Sequence, residues 1–467
     1  MPQWRHLSEE EVRSLPTRPS QERVIVSFPG QRDVSEIDPS AIYYWDTRKL
    51  IVRLLVVFSV IYFGRDHILP GYVARRLEKF TSYVTLGNIL LTLCTGGVMT
   101  VLHHVLLAGG KPRSTYQQSE RNIKLSKYMK VLSQSFYPSF LLSWGVAQTA
   151  YISAAKSPPR IHYHRQKLIA ADGGTLGLDW MDELNASDPL PDDAPIVLLL
   201  PGINGSPKDN YLRRMAVALR NSKYRVVGFV YRGCGGLMLT TPKWYSSGHT
   251  EDVHLALHTI RKNFPNAKLG AVGFSMGANL LTCYMGETGD KCLLDCGANV
   301  SNIYNYLRLY ALDKPGYHPI GWILEQFVLK KILRTVKRNR EVLDQVPGIS
   351  VDRVLKTVRM LDWVEKCQSK LYGYDTWYGY IKQCIAEDWL PTIKRPLLNL
   401  NAEDDPMVPS TILKDVHCYA RENENLMFVA TRSGGHLGFI SGWKPSLAPG
   451  FAEETVCSFL DFHLREH

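Results

Sequence analysis

A mostly parallel β-sheet with helices on both faces, an α/β fold, is expected from this chain for three reasons. Short, wholly apolar runs such as Ile196-Val197-Leu198-Leu199-Leu200 have the length and composition of strands buried on both sides. Helix-forming stretches separate these runs, as crossovers between parallel strands require. One run, Leu269-Gly270-Ala271-Val272, enters Gly273-Phe274-Ser275-Met276-Gly277 and then a helix-forming stretch. That is the pattern of a sharp strand-to-helix turn.

In chain order, 162–169 alternates and reads as a strand. Asp172-Gly173-Gly174 is a turn, and 176–181 a second strand. Further strands are expected at 196–200, 225–231, 268–274, 293–298, 397–401 and 426–430. Helices are expected at 278–285 and, closing the chain, at 451–464. About 95 residues lie between the strands ending near Ala298 and starting near Leu397, too many for a plain loop. They are helix-prone and rich in Tyr, Trp, Lys and Arg, so a helical cap is expected at about 301–393.

The first third has a different character. Of 467 residues, 55 are Lys or Arg and 44 are Asp or Glu, a net charge of +11. Residues 1–165 hold 21 basic and 11 acidic residues, so nearly all of the excess sits there. The same region holds three apolar runs, at 54–63, 84–110 and 131–155. A spanning helix needs about 20 mostly apolar residues. The first run is short, and it lies behind a polar leader unlike a cleaved signal peptide. The run at 84–110 has no charged residue and is the best span. Ser133, Gln134, Ser135, Pro138 and Gln148 weaken 131–155 as a span and leave an interfacial or re-entrant segment as the alternative. Basic charge beside apolar runs points to a membrane bilayer, and no zinc-finger spacing or RNP-like motif points to nucleic acid. Nine Cys without a CxxC pair exclude a small disulfide scaffold, and Cys292 and Cys296 read as buried apolar side chains. Ser157-Pro158-Pro159 marks the boundary between a membrane-anchoring region, 1–156, and a catalytic domain, 157–467.

The strand-to-helix turn presents Ser275 with its hydroxyl exposed, and flanking glycines leave room for the bend. A Ser hydroxyl is a weak nucleophile and needs a base oriented by an acid. His436, in Ser433-Gly434-Gly435-His436-Leu437-Gly438, follows the last strand and is the one well-placed base. The acid should follow the preceding strand, where Glu403, Asp404 and Asp405 stand in a row before Pro406. Asp405 has the better register, Asp404 is its competitor, and Glu403 comes third. The oxyanion requires two backbone donors. Met276, after the nucleophile, is one. The loop Pro201-Gly202-Ile203-Asn204-Gly205 supplies the other, with Ile203 preferred and Asn204 close behind.

These residues sit among further motifs: Leu178-Asp179-Trp180, Leu200-Pro201-Gly202, Tyr231-Arg232-Gly233-Cys234-Gly235-Gly236, Gly248-His249-Thr250-Glu251-Asp252 and the stretch from Asn401 to Pro406. With them the chain, from about 159 to 462, resembles the α/β-hydrolase superfamily. Within it the likeness is to AB-hydrolase family four, the membrane-anchored lipases and esterases that include α/β-hydrolase-domain lipases and yeast ethanol acyltransferases. The resemblance implies an α/β-hydrolase fold with a cap, a triad of Ser275, Asp405 and His436, and no metal or organic cofactor. It also implies a lipid ester substrate, such as an acylglycerol or a phospholipid, and a transmembrane anchor in the endoplasmic reticulum or another endomembrane. A single anchor is usual in that family, and the two or three apolar runs here depart from it. Transfer of the acyl group to an alcohol is the first alternative to hydrolysis. A non-catalytic lipid-binding or receptor protein is the second.

Overall fold

The computed structural model describes residues 95, 98, 101, 103–155, 161–181, 189–312 and 319–465. The chain divides into two compact units. In one, Ile37–Leu107, the described residues are helical. The other holds Ala108–His467 and is built on a nine-stranded sheet.

The strands are β1 Arg113–Tyr116, β2 Tyr163–Ile169, β3 Thr175–Met181, β4 Ile196–Leu200, β5 Arg225–Val230, β6 Leu269–Phe274, β7 Cys296–Val300, β8 Leu397–Ala402 and β9 Leu426–Thr431. Their order is β1-β9-β8-β7-β6-β4-β5-β3-β2. From β5 to β9 the pairings are parallel, while β2, β3 and β1 join the two edges antiparallel. The main helices are α1 Glu120–Tyr128, α2 Gly145–Ala154, α3 Asn210–Asn221, α4 Glu251–Asn263, α5 Met276–Thr288, α6 Pro319–Arg338 and α7 Phe451–Leu464.

Both faces of the sheet are buried, which explains the unbroken apolar strands. In β4, Leu198 and Leu200 join one core with Ile260 of α4 and Leu280 of α5. Val197 and Leu199 join the other with Met215 of α3 and Phe459 of α7. Arg232 crosses between motifs: its guanidinium bonds Asp172 at 2.6 Å and both carboxylate oxygens of Asp252 at 2.6 and 2.7 Å. Arg165 grips Asp179 in the same two-pronged way, at 2.6 and 2.7 Å. The charged positions of these motifs therefore brace the scaffold by paired, charge-assisted bonds.

Most strands fall where the sequence places them. β7 starts later than the expected 293, because the Asp295 side chain and amide are both engaged with Leu269 at the sheet end. The segment between β7 and β8 is helical, with α6 followed by shorter helices including Val351–Leu355, Met360–Trp363 and Trp377–Lys382.

The larger difference lies before residue 157. The run 131–155 forms no helix long enough to span and is part of the sheet-bearing unit. Lys130–Ser133 and Phe140–Leu142 are single turns, and Phe136 and Pro138 make isolated bridges to Gly110 and Ser441. Only the ten residues of α2 form a helix, about 15 Å long at the usual rise. β1 completes the sheet edge against β9. Among the described residues no helix is long and apolar enough to cross a membrane. The run at 54–63 lies outside the described residues, as does most of 84–110.

Candidate active site

β6 ends at Phe274 and α5 begins at Met276, so the whole reversal falls on Ser275. Its backbone takes φ 54° and ψ −117°, a strained conformation for a residue with a Cβ. The surrounding space explains the flanking glycines. A Cβ on Gly277 would collide with the Leu200 and Pro201 carbonyls, and one on Gly273 would come within 2.6 Å of the Ala278 Cα.

Ser275, His436 and Asp405 meet in one hydrogen-bonded chain. His436 Nε2 lies 2.8 Å from Ser275 Oγ, and Nδ1 lies 2.8 Å from Asp405 Oδ2. With the proton on Nδ1, the imidazole donates to Asp405 and leaves Nε2 to accept from the Ser275 hydroxyl. The Asp405 carboxylate is fully buried, and its other oxygen accepts from the amides of Met407 at 2.7 Å and Val408 at 3.2 Å. Those bonds fix the carboxylate edge that faces the imidazole.

Asp404, the competing acid, turns elsewhere. Its Oδ1 accepts from the Gly435 amide at 2.9 Å, so it ties the acid loop to the histidine loop without touching the imidazole. Burial first, with the Asp405 charge adding and the Gly435 amide opposing, pushes its carboxyl up to about 6. Glu403 instead forms an ion pair with Arg113 of β1.

The loop from Pro201 to Gly205 is held open beside Ser275. Tyr211 Oη accepts from the Gly202 amide at 3.0 Å, and Tyr231 donates to the Pro201 carbonyl at 2.9 Å. Asn204 is buried with φ 51°, and its side chain accepts from the Cys234 thiol. Ile203 and Met276 both line the cavity next to Ser275. Among the described residues neither of their amides has a hydrogen-bond partner. That cavity has a volume of about 340 Å³. Its wall is largely apolar, with Val146 from α2, Ile303 and Tyr306 after β7, Val328 from α6, and Met407. One acid of α6, Glu325, also lines it, with Oε1 accepting from the Met360 amide at 2.6 Å and Arg359 3.6 Å from Oε2.

Sequence reasoning missed the support that α2 gives the histidine loop. Thr149 Oγ1 accepts from the His436 amide, and Gln148 Oε1 accepts from the Ile440 amide at 2.7 Å. Arg214 of α3 reaches the Gly438 carbonyl at 2.8 Å and is paired with Glu453 of α7 at 2.8 Å. The available signal was Gln148-Thr149 inside an apolar run, where two amphipathic side chains need a purpose. Cys292 and Cys296 are buried free thiols, as read from the sequence.

Among known proteins, the alpha/beta hydrolase fold family matches residues 195–293. Phospholipase ABHD3 of Homo sapiens is 30% identical over 342 residues, which cover 73% of this chain and 80% of that protein. This chain belongs to the α/β-hydrolase superfamily, in its ABHD-type family. Monoacylglycerol lipase of Saccharomyces cerevisiae is 29% identical over 281 residues, 58% of this chain and 60% of that protein. Among solved structures, the esterase Pf2001 of Pyrococcus furiosus is 18% identical, with 66% of this chain and 100% of that one covered and a TM-score of 0.41. The ABHD-type membership agrees with the motif resemblance carried by residues 159–462.

Proposed function

We propose that this chain is a serine hydrolase that cleaves carboxylic esters of lipids through Ser275, His436 and Asp405. The observation that carries the reading is the unbroken bond chain from Ser275 Oγ through His436 to Asp405, opening on an apolar cavity. Relatives named phospholipase and monoacylglycerol lipase support a lipid ester over a water-soluble one.

The chemistry follows from the geometry. Ser275 Oγ attacks the ester carbonyl carbon as its proton passes to His436 Nε2, and Asp405 stabilises the imidazolium. The Ile203 and Met276 amides receive the oxyanion, the latter helped by the N-terminus of α5. The tetrahedral adduct collapses, the ester C–O bond breaks, and His436 returns the proton to the departing alcohol. Water then attacks the acyl-enzyme by the same steps in reverse and releases the fatty acid. The helices between β7 and β8 act as a cap whose inner residues hold the acyl chain. The run at 84–110 anchors the enzyme in the membrane that supplies its substrate, which raises effective substrate concentration.

The test is fluorophosphonate labelling of the full-length protein, followed by a panel of acylglycerols and phospholipids. Labelling at Ser275 with turnover of at least one lipid ester is expected. A folded protein that neither labels nor turns over any ester refutes the reading.

A further inference from the structure

α6 has two faces of different chemistry. The inner one lines the cavity with Glu325 and Val328, and Leu329, Ile332 and Val336 bury it further. The outer one carries Ile323, Phe327, Lys330, Arg334 and Lys337. These positions recur at helical spacing and share one side of the helix. Ile323 is 44% exposed and Phe327 68%, and the three cations are exposed behind them. Among the described residues those three cations have no ion-pair or hydrogen-bond partner. Their neighbours Lys331 and Arg338 are engaged, with Asp209 at 3.4 Å and the Gly233 carbonyl at 2.6 Å. The unpaired charge is thus confined to the outer stripe.

A second group of exposed apolar residues lies at and before the start of α2, joined by Trp443. Leu141 is 68% exposed, Trp144 54% and Trp443 75%, and Phe140 stacks on Trp443 at 5.5 Å. Two residues after Trp144, Val146 lines the cavity wall. Two of the elements that wall the cavity, α2 and α6, thus carry or adjoin large apolar side chains that are open to water. Isolated exposed apolar residues are ordinary, but clusters beside a binding cavity mark a contact surface.

We propose that the outer face of α6, together with Leu141, Trp144 and Trp443, docks on an anionic lipid bilayer. This rests on the lipid-ester reading and names the surface by which the cavity meets its substrate. Ile323 and Phe327 enter the acyl boundary, and Lys330, Arg334 and Lys337 meet anionic head groups. That division of labour is the physics of an interfacial amphipathic helix. Trp144 and Trp443 suit the head-group level, where indole rings concentrate. The row of unpaired cations favours an anionic bilayer over an apolar groove on another protein.

The test uses the full-length chain in phosphatidylcholine vesicles, with or without phosphatidylserine. Two rates are read: hydrolysis of a long-chain acylglycerol in the vesicles, and of a short water-soluble p-nitrophenyl ester. In Ile323→Ser/Phe327→Ser, and in Lys330→Gln/Arg334→Gln/Lys337→Gln, the vesicle rate should fall by about tenfold or more. The triple variant should also lose stimulation by phosphatidylserine, while both keep the wild-type rate on the short ester. An unchanged vesicle rate, or parallel loss of both rates, overturns the docking face. A photoactivatable lipid provides a readout free of catalysis. It should label the outer positions Ile323, Phe327, Lys330, Arg334 or Lys337 of the wild-type protein in phosphatidylserine vesicles, and absence of label at all of them overturns the proposal even in an active enzyme. If the wild type turns over neither ester while that label forms, the hydrolase reading fails and the docking face stands.

Discussion

Thr149 Oγ1 accepts a 2.8 Å hydrogen bond from the backbone amide of His436, and its own hydroxyl donates to the Gly145 carbonyl at 2.8 Å. A helix from the first third of the chain thereby sets the height of the imidazole above Ser275. Thr149→Val keeps the shape but leaves the His436 amide buried and unpaired. The expected loss is about 1–3 kcal/mol of stability together with a lower kcat. Thr149→Ser, which keeps the acceptor, should recover most of both. Thermal melts and turnover of the three proteins provide the check, and wild-type values for Thr149→Val would remove α2 from the argument.

Ser275→Ala should abolish ester turnover and fluorophosphonate labelling while leaving the melting temperature near that of the wild type. The side chain lost is one oxygen in a turn whose shape is set by glycines on either side. Undiminished labelling of the folded variant would place the nucleophile elsewhere.

The two neighbouring acids should separate cleanly. Asp405 bonds the imidazole, whereas Asp404 bonds only the loop that carries it. Asp405→Asn is expected to lower kcat by several orders of magnitude, about 10⁴ for a triad acid. Asp404→Asn, whose amide oxygen can still accept from Gly435, should cost far less. The reverse ranking in kcat would transfer the orienting role to Asp404.

Asp404 should also write itself into the pH dependence of stability. Its carboxyl is raised from an ordinary 3.8 to about 6 in the folded protein. Between those values the folded state holds the proton more tightly than the unfolded one, so stability from this group falls as pH rises and is lost above about pH 6. Asp404→Asn removes that titration. The melting temperature of the variant, relative to wild type, should therefore be more favourable at about pH 7 than at about pH 4. An offset that does not change with pH would show that Asp404 ionises as it does in the unfolded chain.

Attachment through 84–110 predicts resistance to extraction. High salt weakens charge-only binding steeply, whereas a spanning helix withstands it. At about 1.5 Å per residue the run is long enough for a hydrocarbon core of roughly 30 Å. Full-length protein should remain in the membrane pellet through high salt and carbonate and leave it with detergent. Release by salt and carbonate alone would rule out a span there.

The sheet and the elbow were legible because they rest on local rules. Short apolar runs of strand length such as 196–200 suit strands buried on both faces, and Gly273 and Gly277 mark a turn too tight for side chains. His436 and Asp405 were legible by their position after the last two strands. What could not be read was the use of 131–155. Composition sees 25 residues without charge, but the purpose of Gln148 and Thr149 lies in amides nearly three hundred residues away. Composition likewise could not tell that Arg232, in a glycine-rich motif, braces two acids and not a substrate. β1 escaped notice because Arg113–Tyr116 is a four-residue edge strand, defined by its partner and not by its own periodicity.

The pairing of β1 with β9 has a consequence for how the molecule comes into being. Arg113 stands opposite Ala430, so two strands more than three hundred residues apart in sequence close this edge of the sheet. Contacts of such long separation form late, after local structure has already gathered. Until β9 and the loop behind it are synthesised, β1 lacks its pairing strand, α2 lacks the loop its Thr149 supports, and Ser275 lacks the His436 to which it is hydrogen-bonded. Synthesis of 405–436 then brings Asp405, β9 and His436 to the chain that already holds Ser275, and α2 can close on the loop that carries His436.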